Sequence, residues 1–320
     1  MGFWVADGAE VMGKPSGGSS GRADLYGQVT QRIIAELKAG RVPWVKPWGS
    51  DGGADAALPR NAITGRCYSG INILILWGAV IEHRWPAQGW LTFRQALNAG
   101  GSVKRGERGT TVVYADTFTP KGEAARAARD GDAARAVPFL KSFTVFNVAQ
   151  CEGLRPGFGI DPPPLAAHEI SPVAEAVIAA SGVEYLIGGS EAFYVPSKDY
   201  VRVPPLPAFV SAEDYYCTSL HELVHATGHP KRLNRASLTA SGTKDYGREE
   251  LVAEMGSAFL CAALGIEPTV RHADYLGTWL AILKEDHRAI FRAASQASRA
   301  ADWLLARYDA AQVAERRLAA

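Results

Sequence analysis

His221-Glu222-Leu223-Val224-His225 decides how this chain is read. Two imidazoles four residues apart lie one above the other on a helix face. Such a pair can grip one Zn²⁺. The Glu between them can then accept a proton from a water that the ion polarises. Two surface histidines on an amphipathic helix would give the same pattern, so the flanks matter. Upstream, Ser211-Ala212-Glu213-Asp214 resembles a capping box with Asp in place of Glu. Tyr215, Leu220 and Val224 supply an apolar face, and Gly228 followed by Pro230 marks a stop. The motif therefore falls on a predicted helix of about four turns, where ligand geometry requires it.

Two histidines leave a catalytic zinc one protein ligand short. A metzincin-type site would place a third His six residues beyond the second, but position 231 is Lys. His229 would share the helix face if the helix continued, yet Gly228 and Pro230 interrupt it. Downstream, Arg248-Glu249-Glu250-Leu251-Val252-Ala253-Glu254 puts Glu250 and Glu254 at i and i+4 on one face. Carboxylates on an apolar helix are costly to bury unless they meet cations or donors. This segment resembles the gluzincin arrangement, in which a downstream NExxSD helix gives a Glu ligand and an acidic partner. The resemblance implies Glu250 as ligand and Glu254 as acceptor of the far N–H of His221. Glu249 is the rival ligand if the helical phase is off by one. A solvent-facing acidic stripe is the alternative to both.

Transition-state donors are sought among Tyr194, Tyr200, Tyr246 and His229, with Tyr194 and His229 joining Glu222 in the catalytic set. The stretch Ala192-Phe193-Tyr194-Val195 suits an edge strand able to pair with an extended peptide.

A length of 320 residues suggests two domains, each with its own core. At 47% hydrophobic and 21% charged, the composition is that of a soluble globular protein rather than a disordered or membrane chain. Net charge is +1, but cations are in excess before residue 155 and anions after it. A basic half suits a polyanion partner. Cys67, Cys151, Cys217 and Cys261 are dispersed, with no CxxC, which fits a reducing cytosol. The first 22 residues have neither a cationic nor an apolar signal region and read as a disordered tail. The longest apolar run, 71–81, is too short for a bilayer, so no membrane partner is expected.

Along the chain, helices are expected at 24–40, 71–81 and 91–97. Stretches 110–118 and 139–149 read as paired strands around an Ala/Arg-rich insertion at 120–138. Five prolines make 156–172 the linker between domains 23–155 and 173–320. The second domain begins with a helix at 172–180. Two or three short strands follow within 183–203, turning at Ser197-Lys198-Asp199. Beyond the HExxH helix come a polar loop at 232–246, a helix at 249–264, and a helical tail in three pieces, 272–283, 284–291 and 295–308.

Read together, both halves resemble the ArdC antirestriction family. The N-terminal resemblance is carried by DLYGQVTQRIIAELKAGRVPWVKPW, LPRNAITGRCYSGINILILW, GWLTFRQALNAGGSVKRGERGTTVVY and FTVFNVAQCEGL. HELVHATGHPKRLNR, REELVAEM and the tail through AADWLLARY carry the C-terminal one. The resemblance covers about residues 24–308. It implies an α+β protein, with an α/β single-stranded-DNA-binding domain. The second domain would be zincin-like, gluzincin-type and mainly helical, with a small antiparallel sheet. It further implies a cytoplasmic protein of plasmid conjugation that helps incoming DNA survive restriction, with a restriction-related host protein as a further target. The N-terminal half also resembles that of plasmid TraC-type primases, but no primase metal motif is visible.

Single strands are held by cations along phosphates and aromatics against bases. Trp44, Lys46, Trp48, Arg60, Tyr68, Lys104, Arg105 and Arg108 are of those types, in loops. Each Trp alone reads equally as core. The cofactor expectation is Zn²⁺, with Mn²⁺ or another divalent ion also suited to a His₂Glu set. Non-enzymatic DNA coating with a structural metal is the competing reading.

Overall fold

The computed structural model describes residues 20–44, 57–120, 122–130, 137–160, 167–239, 243–267 and 275–319. The N-terminal half opens with α1 (Ser20–Lys38), so the expected tail otherwise falls outside the described residues. There follow β1 (Arg60–Asn61), α2 (Ile71–His83), β2 (Gly89–Leu91) and α3 (Phe93–Asn98). Next come β3 (Ser102–Val103), β4 (Thr110–Phe118), α4 (Glu123–Asp130), β5 (Val137–Asn147) and β6 (Cys151–Glu152). One sheet has the order β1-β2-β5-β4, and β3 pairs with β6. Strands β4 and β5 pair antiparallel from Thr110↔Val145 to Phe118↔Val137, as the β-branched pattern predicts. Helix α3 starts two residues later than expected. Leu91 is buried in β2, and Thr92 caps the helix in a reciprocal box with Gln95.

The C-terminal half contains α5 (Ala167–Ser181), β7 (Glu184–Ile187), β8 (Phe193–Val195) and β9 (Tyr200–Val203). Helices α6 (Ala212–Thr227), α7 (Ala236–Thr239), α8 (Thr243–Leu264), α9 (Leu276–Glu285) and α10 (Ala289–Ala319) complete it. The small sheet has the order β7-β9-β8 and is mixed, because β7 runs parallel to β9 while only β8 is antiparallel. Three expectations are corrected. The linker is shorter than 156–172, since α5 occupies it from Ala167 and runs through Pro172. The polar loop at 232–246 contains α7 and the first turn of α8. Of the expected piece 284–291, Lys284 and Glu285 end α9, and from Ala289 it runs with 295–308 in one helix, because alanines bury a continuous stripe through Ala301.

The N-terminal sheet keeps buried clusters of its own, around Leu76 and Trp90 and around Leu91 and Val148, but α1 and α2 share the core of the C-terminal half. Ile33, Leu37, Trp44, Leu74 and Trp77 belong to the same buried cluster as Phe259, Trp279 and Ile290. Trp44 meets Trp279 edge-on at 5.5 Å, and Trp77 meets Phe259 at 5.7 Å. Polar bonds cross as well. Thr30 donates to the His287 carbonyl at 2.7 Å, and the Gly70 N–H donates to Ser298 at 2.7 Å. Among the described residues, no helix is long and apolar enough to cross a membrane.

Candidate metal centre

Helix α6 starts where Ser211 accepts a hydrogen bond from the Asp214 N–H at 3.1 Å. From Tyr215 to Thr227 nearly every side chain is buried, so the HExxH motif lies inside the molecule and not on a wet helix face. Helix α8 packs directly against α6. Gly256 permits that approach, since a β-carbon there would stand 2.8 Å from Val224 Cγ1.

The packing brings His221, His225 and Glu250 together. The two Nε2 atoms are 3.1 Å apart. The Glu250 carboxylate lies 3.5 Å from His221 Nε2 and 3.4 Å from His225 Nε2. A tetrahedral ion with bonds of about 2.0–2.1 Å has ligand–ligand edges of roughly 3.3 Å. The two Glu250 distances run to different carboxylate oxygens, Oε2 toward His221 and Oε1 toward His225, and one donor atom from each of the three residues lies within 4.8 Å of the others, near enough for the set to close on a divalent ion.

Each imidazole has a carboxylate behind it. Glu254 Oε1 is 3.9 Å from His221 Nδ1, on the side assigned to it by resemblance. Glu249, the rival ligand, takes another place. Its Oε1 lies 3.3 Å from His225 Nδ1, turned away from the donor triangle. Arg235, which sequence reasoning missed, holds Glu249. Its Nη2 donates to Glu249 Oε1 at 2.5 Å and to the Val224 carbonyl at 2.6 Å, while Nη1 donates to Thr227 Oγ1 at 2.6 Å. Ser237 donates to the other carboxylate oxygen at 2.5 Å. One guanidinium thus caps the C-terminus of α6 and neutralises a buried carboxylate. Gly228 leaves the space for it, since a β-carbon there would meet Arg235 Nη2 at 2.8 Å.

The charges show what the site is built to hold. Glu222, Glu249, Glu250 and Glu254 are all buried, and Arg235 is the one buried lysine or arginine among the described residues. Burial alone would push the His225 imidazole down, but hydrogen bonds to Glu249 and Glu250 raise it to about 10. Burial would raise the Glu249 carboxyl, but His225 and Arg235 hold it down to about 2. Glu250 is likewise held far below the ordinary carboxylate range by the two histidines, against its burial. The pocket stabilises positive charge among its carboxylates, as a cation site should.

A cleft of about 690 Å³ opens onto this centre. Its wall includes His221, Glu222, Ala192, Phe209, Val210 and Tyr275. Tyr275, also missed in the sequence, hydrogen-bonds Tyr246 at 3.4 Å between hydroxyls. Tyr246 in turn interacts with Glu250, and partial burial of its half-exposed ring, Tyr275 and that carboxylate push its phenol up. Tyr194 and His229 are placed differently. The Tyr194 hydroxyl donates to Asp199 Oδ1 at 2.9 Å, Arg232 pairs with the same carboxylate, and His229 Nδ1 lies 3.6 Å from it. That cluster ties the β8–β9 turn to the segment after α6, and neither residue is among those lining the cleft.

A family profile for the N-terminal domain of anti-restriction factor ArdC matches residues 23–146, and one for a zincin-like metallopeptidase matches 172–296. The crystal structure of antirestriction protein ArdC from plasmid R388, metal-free, superposes with a TM-score of 0.75 at 38% identity. It covers 89% of this chain and 98% of that one. The chain belongs to the ArdC antirestriction family. The Mn(II)-bound structure of R388 ArdC gives a TM-score of 0.73 at 39% identity, with the same coverage. A Sinorhizobium fredii protein designated y4eC is 39% identical over 303 residues, covering 93% of this chain and 96% of its own. DNA primase TraC of Escherichia coli is 39% identical over 300 residues, but these are 88% of this chain and only 27% of TraC.

Within this ArdC-family fold, the residues expected to meet DNA scatter. Trp44 is 0% exposed and stands in the shared core, so it presents no face to a base. Tight packing against Trp279 accounts for the difference. Lys46 and Trp48 lie outside the described residues. Tyr68 is half-buried against the cluster of Leu76 and Trp90, and Arg60 donates to the Ile160 carbonyl at 2.9 Å. Lys104, Arg105 and Arg108 are exposed together on one turn.

Proposed function

We propose that this protein protects incoming DNA from restriction by binding single strands through its N-terminal half. Its C-terminal half would hold a divalent ion in a peptidase-type site. The observation that carries the second part is the triangle of His221, His225 and Glu250, with Glu222 beside it on the cleft wall. Bound there, an ion would supply Lewis acidity and make water a usable nucleophile near neutral pH. Glu222 would take a proton at its carboxylate and return it to a leaving amine. Glu249 and Glu254 would orient the two imidazoles through their Nδ1 atoms. The apolar wall of Phe209 and Val210 would exclude water from a bound peptide. Zinc and manganese both suit the donors. The Mn(II) form of R388 ArdC supports manganese.

A structural metal with DNA coating alone is the second reading. It is favoured by the burial of both ligand-bearing helices in the common core. Plasmid transfer into a restricting recipient separates the two. Proteolytic protection predicts that Glu222→Gln keeps one bound ion per chain but loses protection. Coating predicts that protection survives Glu222→Gln and is lost with the fold in His225→Ala.

A further inference from the structure

Phe93, the first residue of α3, is 53% exposed. Leu97, one turn on, is 50% exposed on the same face. The Phe93 ring meets Phe146 edge-on at 6.4 Å. Phe146 in turn rests on Gly109, where a β-carbon would approach two of its ring carbons to 3.0 Å. Gly109 closes the basic turn at 104–109, so that turn and the aromatic pair are neighbours.

The turn is held rigid from below. The Lys104 N–H donates to the Gln150 carbonyl at 2.9 Å, and Lys104 Nζ to the Ala149 carbonyl at 2.9 Å. The Gln150 amide donates to Glu107 at 2.8 Å and to the Arg108 carbonyl at 2.9 Å. Gly106 takes the tight corner at φ +89°. This anchoring occupies the one acidic side chain of the turn and leaves its arginines outward. Arg94, Arg105 and Arg108 are exposed and make no ion pair among the described residues. An apolar platform rimmed by uncompensated guanidinium groups has the chemistry of a single strand's partner: rings for bases, cations for phosphates. A duplex keeps its base faces stacked inside and would leave Phe93 unused.

We infer that single-stranded DNA binds across α3 and the 104–109 turn, with a base stacked on Phe93 and phosphates on Arg94, Arg105 and Arg108. This rests on the single-strand reading above and moves the stacking aromatic away from the tryptophans. The test is fluorescence anisotropy of the full chain with a labelled oligothymidylate of about 16 nucleotides, the upper range for one binding module. Phe93→Ala weakens binding by about 5- to 150-fold, the range for loss of one stacked base. Phe93→Trp retains it. Arg105→Ala with Arg108→Ala lowers the slope of log affinity against log salt by about 1.4, for two phosphates released. Phe143→Ala, at another exposed aromatic on β5, leaves affinity unchanged. Equal affinity and salt slope in Phe93→Ala, the arginine pair and the wild type would overturn the assignment while leaving single-strand binding intact. A wild-type chain that binds no single strand at low salt would remove the broader reading, and this one with it.

Discussion

The metal centre and the α3 face handle charge in opposite ways. At the centre, four carboxylates are buried, and each imidazole of the pair has one of them behind it. On the α3 face, Arg94, Arg105 and Arg108 stand in solvent with no ion pair among the described residues. Burial makes the first arrangement rigid and intolerant, because an uncompensated charge in a low-dielectric interior is expensive. Exposure makes the second inexpensive to fold and available to a polyanion. The protein thus fixes its chemistry inside and keeps its electrostatic reach outside.

Substitutions should divide along that line, beginning with the largest effect. Glu222→Gln removes the proton acceptor and should lower any peptide cleavage by about 10²- to 10⁴-fold. Ion content by elemental analysis should not change. Arg235→Ala strands Glu249 in the interior and should cost about 3–5 kcal/mol by chemical denaturation. A loss below 1 kcal/mol would show that the buried network is less tightly balanced than its geometry states. Gly256→Ala drives a methyl into Val224 and should cost about 1–3 kcal/mol, with weaker ion uptake as α8 is pushed from α6. Arg105→Ala should shift the same denaturation curve by no more than about 0.5 kcal/mol, since that side chain is exposed on its turn.

Acid sharpens the contrast. The Glu249 carboxyl is held down to about 2 from an ordinary 4.5. A depressed carboxyl contributes stability that is complete above its unfolded value and disappears as pH falls through the folded one. Stability of the ion-free chain should therefore fall between about pH 4.5 and 2, and Glu249→Gln should flatten that part of the curve.

The same contrast explains what could be read from the sequence. The HExxH pair and the Glu250/Glu254 pair are i,i+4 relations within single helices, so periodicity displayed them. Ser211 and Gly228 marked the ends of α6 for the same local reason. Arg235 was hidden because it reaches Glu249 from a stretch that reads as polar loop, and sequence does not say which arginine a buried carboxylate will recruit. Glu249 differed from Glu250 by one helical step, a phase that only the packing of α8 on α6 resolves. The α3 face joins three segments, 93–97, 104–109 and Phe146, and no linear pattern links them. Trp44 misled for the opposite reason. Flanking prolines and lysine give it the look of a surface loop, while its partner Trp279 lies in the other half of the chain.

That Trp44–Trp279 contact belongs to a seam that also includes Trp77 on Phe259 and Thr30 on His287. Two family modules can be named along the sequence, but the seam should make them unfold together. Chelating the ion should lower a single melting transition rather than split it in two. Expressing residues 23–155 alone would lay Trp77 bare and invite aggregation. Evolution could exchange either module only by carrying its side of the seam along.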